Sequence, residues 1–302
     1  MRDTKTVHRL LLLSLILTAS GLTAAAQNNR LKVVTWNITG GTCGHAVNDM
    51  RPYANKLRAK NADVIALQEV HFDQAYRMAS HLWDPQPFYV RFVWTKRCAS
   101  GWVDFGNAII SRYPIKEEGV FLDGGFAVSP DPAAKARGEL IKVAQGSVQL
   151  PNKQWVRIYS AHLTGVNGPP DNASTQAAQT LTHILITDQR MAGQPRAILM
   201  GDFNIRPSTG PCANPVAGYG SYGLLTHWWN IPQFTDAWTV KPPDPSDPCG
   251  FTISPSNVPN PHTRYDYIFL RNAGGFTVRK MEVIKNLPRL SNHFPVYAEL
   301  AF

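Results

Sequence analysis

RAILMGDFN, residues 196–204, carries an apolar run into a glycine, a carboxylate, an aromatic ring and an amide. A short run of this kind, bounded by Gly and Asn, reads as a buried β-strand. A carboxylate set directly after a buried run is costly unless it is paired or metal-bound. If the strand continues through its last residues, Asp202 and Asn204 face one side while Phe203 turns into the core. A carboxylate beside an amide can orient a water and hold a phosphoryl oxygen. Asp and Asn are equally at home in a strand-to-loop turn, so the stretch takes its meaning from the rest of the chain.

The same arrangement recurs. Apolar runs rich in Val and Ile occur at LKVVTWN (31–37), DVIALQE (63–69), NAIIS (107–111), ELIKVAQGSVQL (139–150), WVRIYSAHL (155–163), YDYIFLR (265–271) and FPVYAEL (294–300). Each predicts a strand, and PNKQ (151–154) predicts a hairpin turn between two of them. Helical spacing appears at Val47, Met50, Ala54 and Leu57. It appears again over 174–191, where Leu181, Ile184, Leu185 and Asp188 mark a face turning from apolar to polar. Strands interleaved with helices imply an α/β protein with mixed sheets. KPPDPSDPCG (241–250) and SPSNVPNPHTR (254–264) read as long surface loops. Residues able to bind a metal or a phosphate close several strands, namely Asn37, Glu69, His162 and Asp202 with Asn204, while Asp266 and His293 stand at or just before a strand start. Together they predict one convergent polar site at an edge of the sheets.

The chain has 302 residues, 44% hydrophobic and 17% charged, the balance of one large globular domain. Residues 1–26 join a basic start, an apolar stretch through Leu10–Leu22 and small residues at Ala24 and Ala26, the pattern of an export signal peptide. The domain is then 27–302. No segment approaches the ~20 apolar residues of a spanning helix. An exported protein without a transmembrane segment, secreted or periplasmic, is expected. Removing 1–26 takes Arg2, Lys5, Arg9 and Asp3 from a net charge of +9 and leaves +7, which suits a polyanionic partner such as nucleic acid, or an anionic membrane surface. Export makes Cys43, Cys98, Cys212 and Cys249 candidates for two disulfides rather than a metal cluster, since none has CxxC spacing. Of the three pairings, Cys43–Cys98 and Cys212–Cys249 each join neighbouring loop regions; four buried thiols are the alternative.

Two histidines gathered with three acids and two asparagines at strand ends suggest chemistry. Hard oxygen ligands, with neither a cysteine cluster nor an HExxH arrangement, point to Mg²⁺ or a similar ion rather than zinc. Read in order, Asn37, the LQE ending in Glu69, GNAIISRYPI (106–115), SAHL with His162, GDFN with Asp202 and Asn204, YDYIF with Asp266 and SNHFPV with His293 resemble the endonuclease/exonuclease/phosphatase superfamily. The resemblance runs from residue 31 to 300. It implies an α/β fold, a four-layer αββα sandwich with two mixed β-sheets as in deoxyribonuclease I-like proteins, and a metal-dependent phosphodiesterase site at the rim.

By motif match, Glu69 is the direct metal ligand, supported by Asn37. Asp202 orients and deprotonates the attacking water, and Asn204 steadies the phosphate. His162 and His293 serve the phosphoryl oxygens and the leaving group, and Asp266 fixes the orientation of His293. Asn107 and Arg137 join Asn204 as substrate contacts. The resemblance implies Mg²⁺ as cofactor, with Mn²⁺ or Ca²⁺ able to stand in, and a monomer without an obligate protein partner. Histidine at 162 sets the chain nearer the deoxyribonuclease-like and sphingomyelinase-like members than the abasic-site endonucleases.

Several substrates stay open. Basic residues near aromatic ones, Arg91, Lys96 and Arg97 beside Phe92 and Trp94, then Lys135, Arg137 and Lys142, favour a nuclease acting on DNA or RNA. His227-Trp228-Trp229 keeps a membrane-docking phospholipase C of the sphingomyelinase type in play. A small sugar or inositol phosphate is a third possibility. A fourth is a binding protein that kept the fold without turnover. It is raised by Asn292, where family members typically carry aspartate, and the amide implies weaker metal binding. Asn37-Ile-Thr39 and Asn172-Ala-Ser174 match glycosylation sequons, but the site claims the first.

Overall fold

The computed structural model describes residues 29–42, 45–46, 48–96, 105–116, 125–128, 141–163, 185, 188, 196–205, 221–228, 231–232, 234–241, 247–253, 263–271, 275–285 and 290–302. Two sheets form its frame. The first contains β1 (Arg30–Asn37), β2 (Val64–His71), β3 (Tyr89–Lys96), β4 (Phe105–Ser111), β12 (Thr277–Val283) and β13 (Val296–Ala301). Its order is β12-β13-β1-β2-β4-β3. The second contains β5 (Ile115–Lys116), β6 (Gly125–Val128), β7 (Ile141–Gln149), β8 (Trp155–His162), β9 (Ala197–Asp202), β10 (Thr235–Asp236) and β11 (Asp266–Arg271), in the order β10-β11-β9-β8-β7-β5, with β6 also paired to β7. The helices with described bounds are α1 (Arg51–Arg58), α2 (Phe72–Trp83), α3 (Ser221–Thr226) and α4 (Ala237–Val240).

Each sheet has one parallel pair among these strands, β1 with β2 and β8 with β9; the other named pairs are antiparallel. Strands buried on both faces read as unbroken apolar runs. That explains why these central strands are the plainest in the sequence. Along β1, Leu31 and Val33 enter the layer between the sheets while Val34 and Trp36 face outward. Opposite them, Ile158, Ile198, Met200 and Ile268 fill the same inner layer. Tyr53 and Leu57 of α1 and Met78 and Ala79 of α2 cover the outer face of the first sheet. Leu185, Tyr222 and Leu225 cover that of the second, over Tyr159, Leu199, Tyr267 and Phe269. The result is the expected α/β sandwich. Each fully buried Val, Leu or Ile stabilises it by about 1.5–3 kcal/mol, and a one-residue slip of β1 would exchange its two faces.

Several expectations need adjustment. The helix expected from Val47 begins at Arg51, with Pro52 in its first turn and Tyr53, Ala54 and Leu57 buried. The PNKQ turn is present, closed by Leu150 N donating to Gln154 O at 2.8 Å, with Lys153 at φ +67°. Of the helix expected over 174–191, the described residues Leu185 and Asp188 are helical. Asp188 does not open a polar face. It is fully buried and takes the guanidinium of Arg157 bidentately, with Tyr159 Oη donating to it at 2.7 Å. The proline-rich segments are also less superficial than expected: Gly250 closes the first in a buried position, and Thr263 and Arg264 at the end of the second are buried. Arg264 is held by Asp236 at 2.7 Å. Strands β3 and β12 and helix α2 had no counterpart in the sequence reading.

Candidate active site

The strand ends build the site. The two parallel pairs finish at the same edge of the sandwich, and β11 and the approach to β13 start there. In register, His162 lies beside Asp202, and Asp202 faces Asp266 across the antiparallel pair. Gly201 permits this approach, because a Cβ there would lie 1.9 Å from Ala161 O. On the other sheet, Asn37 closes β1 and Glu69 sits in a bulge of β2 between Leu67 and Val70. Ile253 and His293 form an isolated antiparallel bridge that brings the histidine in beside Asp266.

Asn37, fully buried, ties the two halves together. Its Nδ2 donates to Glu69 Oε1 at 2.9 Å and to Asp202 Oδ2 at 3.0 Å, while its Oδ1 accepts from Thr39 N at 3.0 Å. Such burial leaves no access for a glycan at that sequon. Asp202 and Asn204 do not converge by strand alternation, as β9 ends at Asp202. Asn204 stands at φ +51°, and its N–H donates to Asp202 Oδ1 at 2.9 Å. An aspartate-anchored turn, with a left-handed asparagine, does the work. Asn204 Nδ2 then donates to Leu163 O at 2.7 Å and lies 3.3 Å from His162 Nε2. Phe203 is buried as expected, in the outer apolar cluster of the second sheet. Among the described non-glycine residues with positive φ, Thr39, Glu69 and Asn204 belong to this rim. Backbone strain gathered in one place marks a functional centre.

The electrostatics are unusual. Two carboxylates directly opposite on neighbouring strands repel. Here His293 lies between them: Nδ1 is 2.8 Å from Asp266 Oδ2 and Nε2 is 3.6 Å from Asp202 Oδ2. Burial works to depress the imidazole, but Asp266, Asp202 and Glu69 outweigh it and hold His293 at about 9, an imidazolium at neutral pH. Burial pushes the Asp266 carboxyl up, against the pull of His293. Its Oδ1 is left without a hydrogen bond. His162 Nε2 stands 3.5 Å from Asp202 and 3.8 Å from Glu69, at the more open side of the rim.

A divalent metal fits this set. Asp202, Asp266 and His293 offer ligand atoms within 4.8 Å of one another, but Asp266 and His293 occupy each other. Glu69, part-exposed and hydrogen-bonded to Asn37 alone in this cluster, is the carboxylate turned to the opening. Three carboxylates against one imidazolium leave an excess of negative charge on hard oxygens, suited to a hard divalent cation.

Other predicted residues fall differently. Asn107 is buried beside the Glu69 bulge, its Nδ2 donating across the sandwich to Lys142 O at 2.7 Å and its Oδ1 unpaired. Lys142 Nζ lies 3.0 Å from the centroid of the Trp94 ring, so this part of the basic group is spent on packing. Arg137, Arg97 and Lys135 lie outside the described residues, as do Cys43, Cys98 and Cys212; Cys249 is disulfide-bonded. Asn292 Oδ1 accepts from Thr39 Oγ1.

Several supports carry no signal in the sequence. Thr252 Oγ1 accepts from Tyr265 N at 3.0 Å and Asp266 N at 3.3 Å, and Thr252 O accepts from Phe294 N at 2.7 Å, so one residue seats both partners of the dyad. Ser291 Oγ donates to Asn37 O at 2.7 Å. Gln74 Nε2 donates to Gly40 O at 2.7 Å, and Gly40 is required there because a Cβ would meet Gln74 Oε1 at 2.5 Å and Glu69 O at 2.6 Å.

The profile of the endonuclease/exonuclease/phosphatase family matches residues 34–293, from the middle of β1 to the histidine of the dyad. The chain belongs to that family. None of the curated proteins matches it by sequence. Among solved structures it is similar to the family member from Beutenbergia cavernae, with 22% identity over 91% of this chain and 72% of that one, and a TM-score of 0.63. It is similar to the mannosyl-6-phosphatase of Bacteroides thetaiotaomicron, with 19% identity over 90% of this chain and all of that one, TM-score 0.64. It is also similar to the human Nocturnin catalytic domain, solved with a bound sulfate anion, with 16% identity over 91% and 94%, TM-score 0.64. These likenesses support the endonuclease/exonuclease/phosphatase fold.

Proposed function

We propose that the protein is a metal-dependent phosphodiester hydrolase exported from the cell, with nucleic acid, DNA foremost, as its substrate. The observation that carries the reading is the buried arrangement of an imidazolium held by Asp266 with Asp202 beside it, at a rim that also gathers Glu69, His162 and Asn204. Glu69, tethered by Asn37, would hold Mg²⁺, with Mn²⁺ or Ca²⁺ able to replace it, and the ion when bound supplies Lewis-acid neutralisation of a phosphoryl oxygen. Asp202 accepts the proton of an attacking water, its orientation set by Asn37 Nδ2 and Asn204 N. Asn204 and His293 steady the non-bridging oxygens, where charge grows in an in-line displacement. The bond from phosphorus to the leaving oxygen breaks, and His162, on the open side of the rim, stands where it can return a proton to that oxygen.

The signal-like pattern of residues 1–26, the four cysteines and the formal +7 of the chain beyond residue 26 support an extracellular or periplasmic polyanion as substrate. A monomer is consistent with a site built from one chain. A second reading, a phosphomonoesterase on a sugar phosphate, draws support from the likeness to the mannosyl-6-phosphatase. The test is a panel of plasmid DNA, RNA, sphingomyelin and p-nitrophenyl phosphate esters with Mg²⁺, with and without chelator. Metal-dependent plasmid nicking is expected. Phosphate release from monoesters without nicking would select the second reading, and release of choline phosphate would replace both with a phospholipase.

A further inference from the structure

In the layer between the sheets, beneath the rim, Thr35, Gln68 and Ser160 are all fully buried. Gln68 Nε2 donates to Ser160 Oγ on the opposite sheet at 2.9 Å. Ser160 Oγ donates back to Leu67 O at 3.1 Å, and Thr35 Oγ1 donates to Gln68 Oε1 at 3.3 Å. A buried polar chain with its members paired adds little net stability over an apolar filling, but it fixes placement. Its place in the fold is telling. Gln68 immediately precedes Glu69, and Ser160 stands two residues before His162 on β8.

Glu69 sits at φ +51°, in the left-handed region that a side chain with a Cβ normally avoids. Its main chain is held on one side by Ile38 N donating to Gln68 O at 3.1 Å and Gly40 N donating to Glu69 O at 2.9 Å. From below, the Gln68 side chain reaches Ser160 on the other sheet. We infer that Gln68 is a positioning residue: through Ser160 it locks the turn at Glu69 and sets the distance between Glu69 and the pair His162 and Asp202. This rests on the reading of Glu69 as the metal-holding carboxylate, and it adds a residue that touches neither substrate nor ion.

Gln68→Met keeps the length of the side chain and removes both hydrogen bonds. Ser160→Ala cuts the same tie from the other sheet and serves alone if Gln68→Met does not fold. Melting is followed in chelator and in Mn²⁺, and turnover and KM are measured on plasmid DNA. In chelator, each variant should melt within roughly 4 °C of the parent. The rise in melting temperature on adding Mn²⁺ should fall by at least about half, and kcat should drop roughly tenfold at unchanged KM. The double variant should be no worse than the more impaired single, because the two substitutions break the same Gln68–Ser160 tie. A parent-like Mn²⁺ rise and kcat in either variant overturns the inference, as does a double variant whose loss equals the product of the singles. A parent protein that Mn²⁺ does not stabilise overturns the reading of Glu69 itself, and the inference with it.

Discussion

Two groups of buried charge lie on neighbouring strands of the second sheet, and they are built differently. On β8, Arg157 and Asp188 are both fully buried. The carboxylate takes two guanidinium bonds and the Tyr159 hydroxyl, and Arg157 Nη1 also reaches Ser147 Oγ. At the ends of β9 and β11, Asp202 and Asp266 face each other, one imidazolium serves both, and Asp266 Oδ1 has no hydrogen bond. The first group is complete within the chain. The second is short of positive charge and is stable only because neighbouring strands force its members together. A saturated ion pair ties a helix to a sheet, whereas an unsaturated one keeps the capacity to bind and to move protons.

The widest break in this comparison is Asp202→Asn. The amide retains the shape and can still accept from Asn204 N, but it cannot take a proton from water. Turnover should fall by about 10³-fold. The melting temperature should hold or rise, since one of two opposed carboxylates has gone; a marked loss of stability would show that Asp202 is structural.

Asp188→Ala is the counterpart. It strands Arg157 without its carboxylate in a dry site, and breaking a buried pair from one side costs about 3–5 kcal/mol. Urea unfolding should show that loss, while kcat per folded molecule stays near the parent value. If activity fell and stability held, the two charge groups would have exchanged roles.

Titration separates them further. The pKa of His293 is raised from its ordinary value of 6.5 to about 9, so the stability it contributes is fully present below pH 6.5 and is lost as pH rises through about 9. In chelator, the unfolding free energy should decline by on the order of 2 kcal/mol across that window. Asp266→Asn, which removes the nearest carboxylate, should flatten the decline. A parent protein whose stability is level from pH 6.5 to 9 would show that His293 is neutral in the fold.

What could be read from the sequence follows from where each signal originates. The central strands were legible because burial on both faces leaves an unbroken apolar run, as in LKVVTWN and AILM. Edge strands were not: YVRFVWTK of β3 and TVRKMEV of β12 carry the charges that a half-exposed edge tolerates. Helix α2 hides its buried stripe in small or polar side chains, Gln74, Ala75 and Ala79 among them. The rim residues could be named because a carboxylate, amide or histidine at the end of an apolar run is costly in itself. Their supports could not. A glutamine, a serine and a threonine become exceptional only through what the other sheet or a distant loop places against them, as Ser160 is placed against Gln68.

Thr252 is the mildest test of the contrast, and the most direct test of how the unsaturated group is kept in shape. It lies between the two proline-rich segments, where the sequence assigns no element, yet its hydroxyl and carbonyl oxygens accept three main-chain N–H groups, those of Tyr265, Asp266 and Phe294. Thr252→Val preserves volume and the carbonyl contact while leaving the N–H groups of Tyr265 and Asp266 without their acceptor. A loss of about 1 kcal/mol is expected. Because Asp266 and His293 must stay 2.8 Å apart for the imidazolium to persist, turnover should fall severalfold, and Thr252→Ser should restore it. A Thr252→Val variant with lowered stability and full turnover would show that the strands alone hold the dyad, and that the loop contributes to the fold and not to the chemistry.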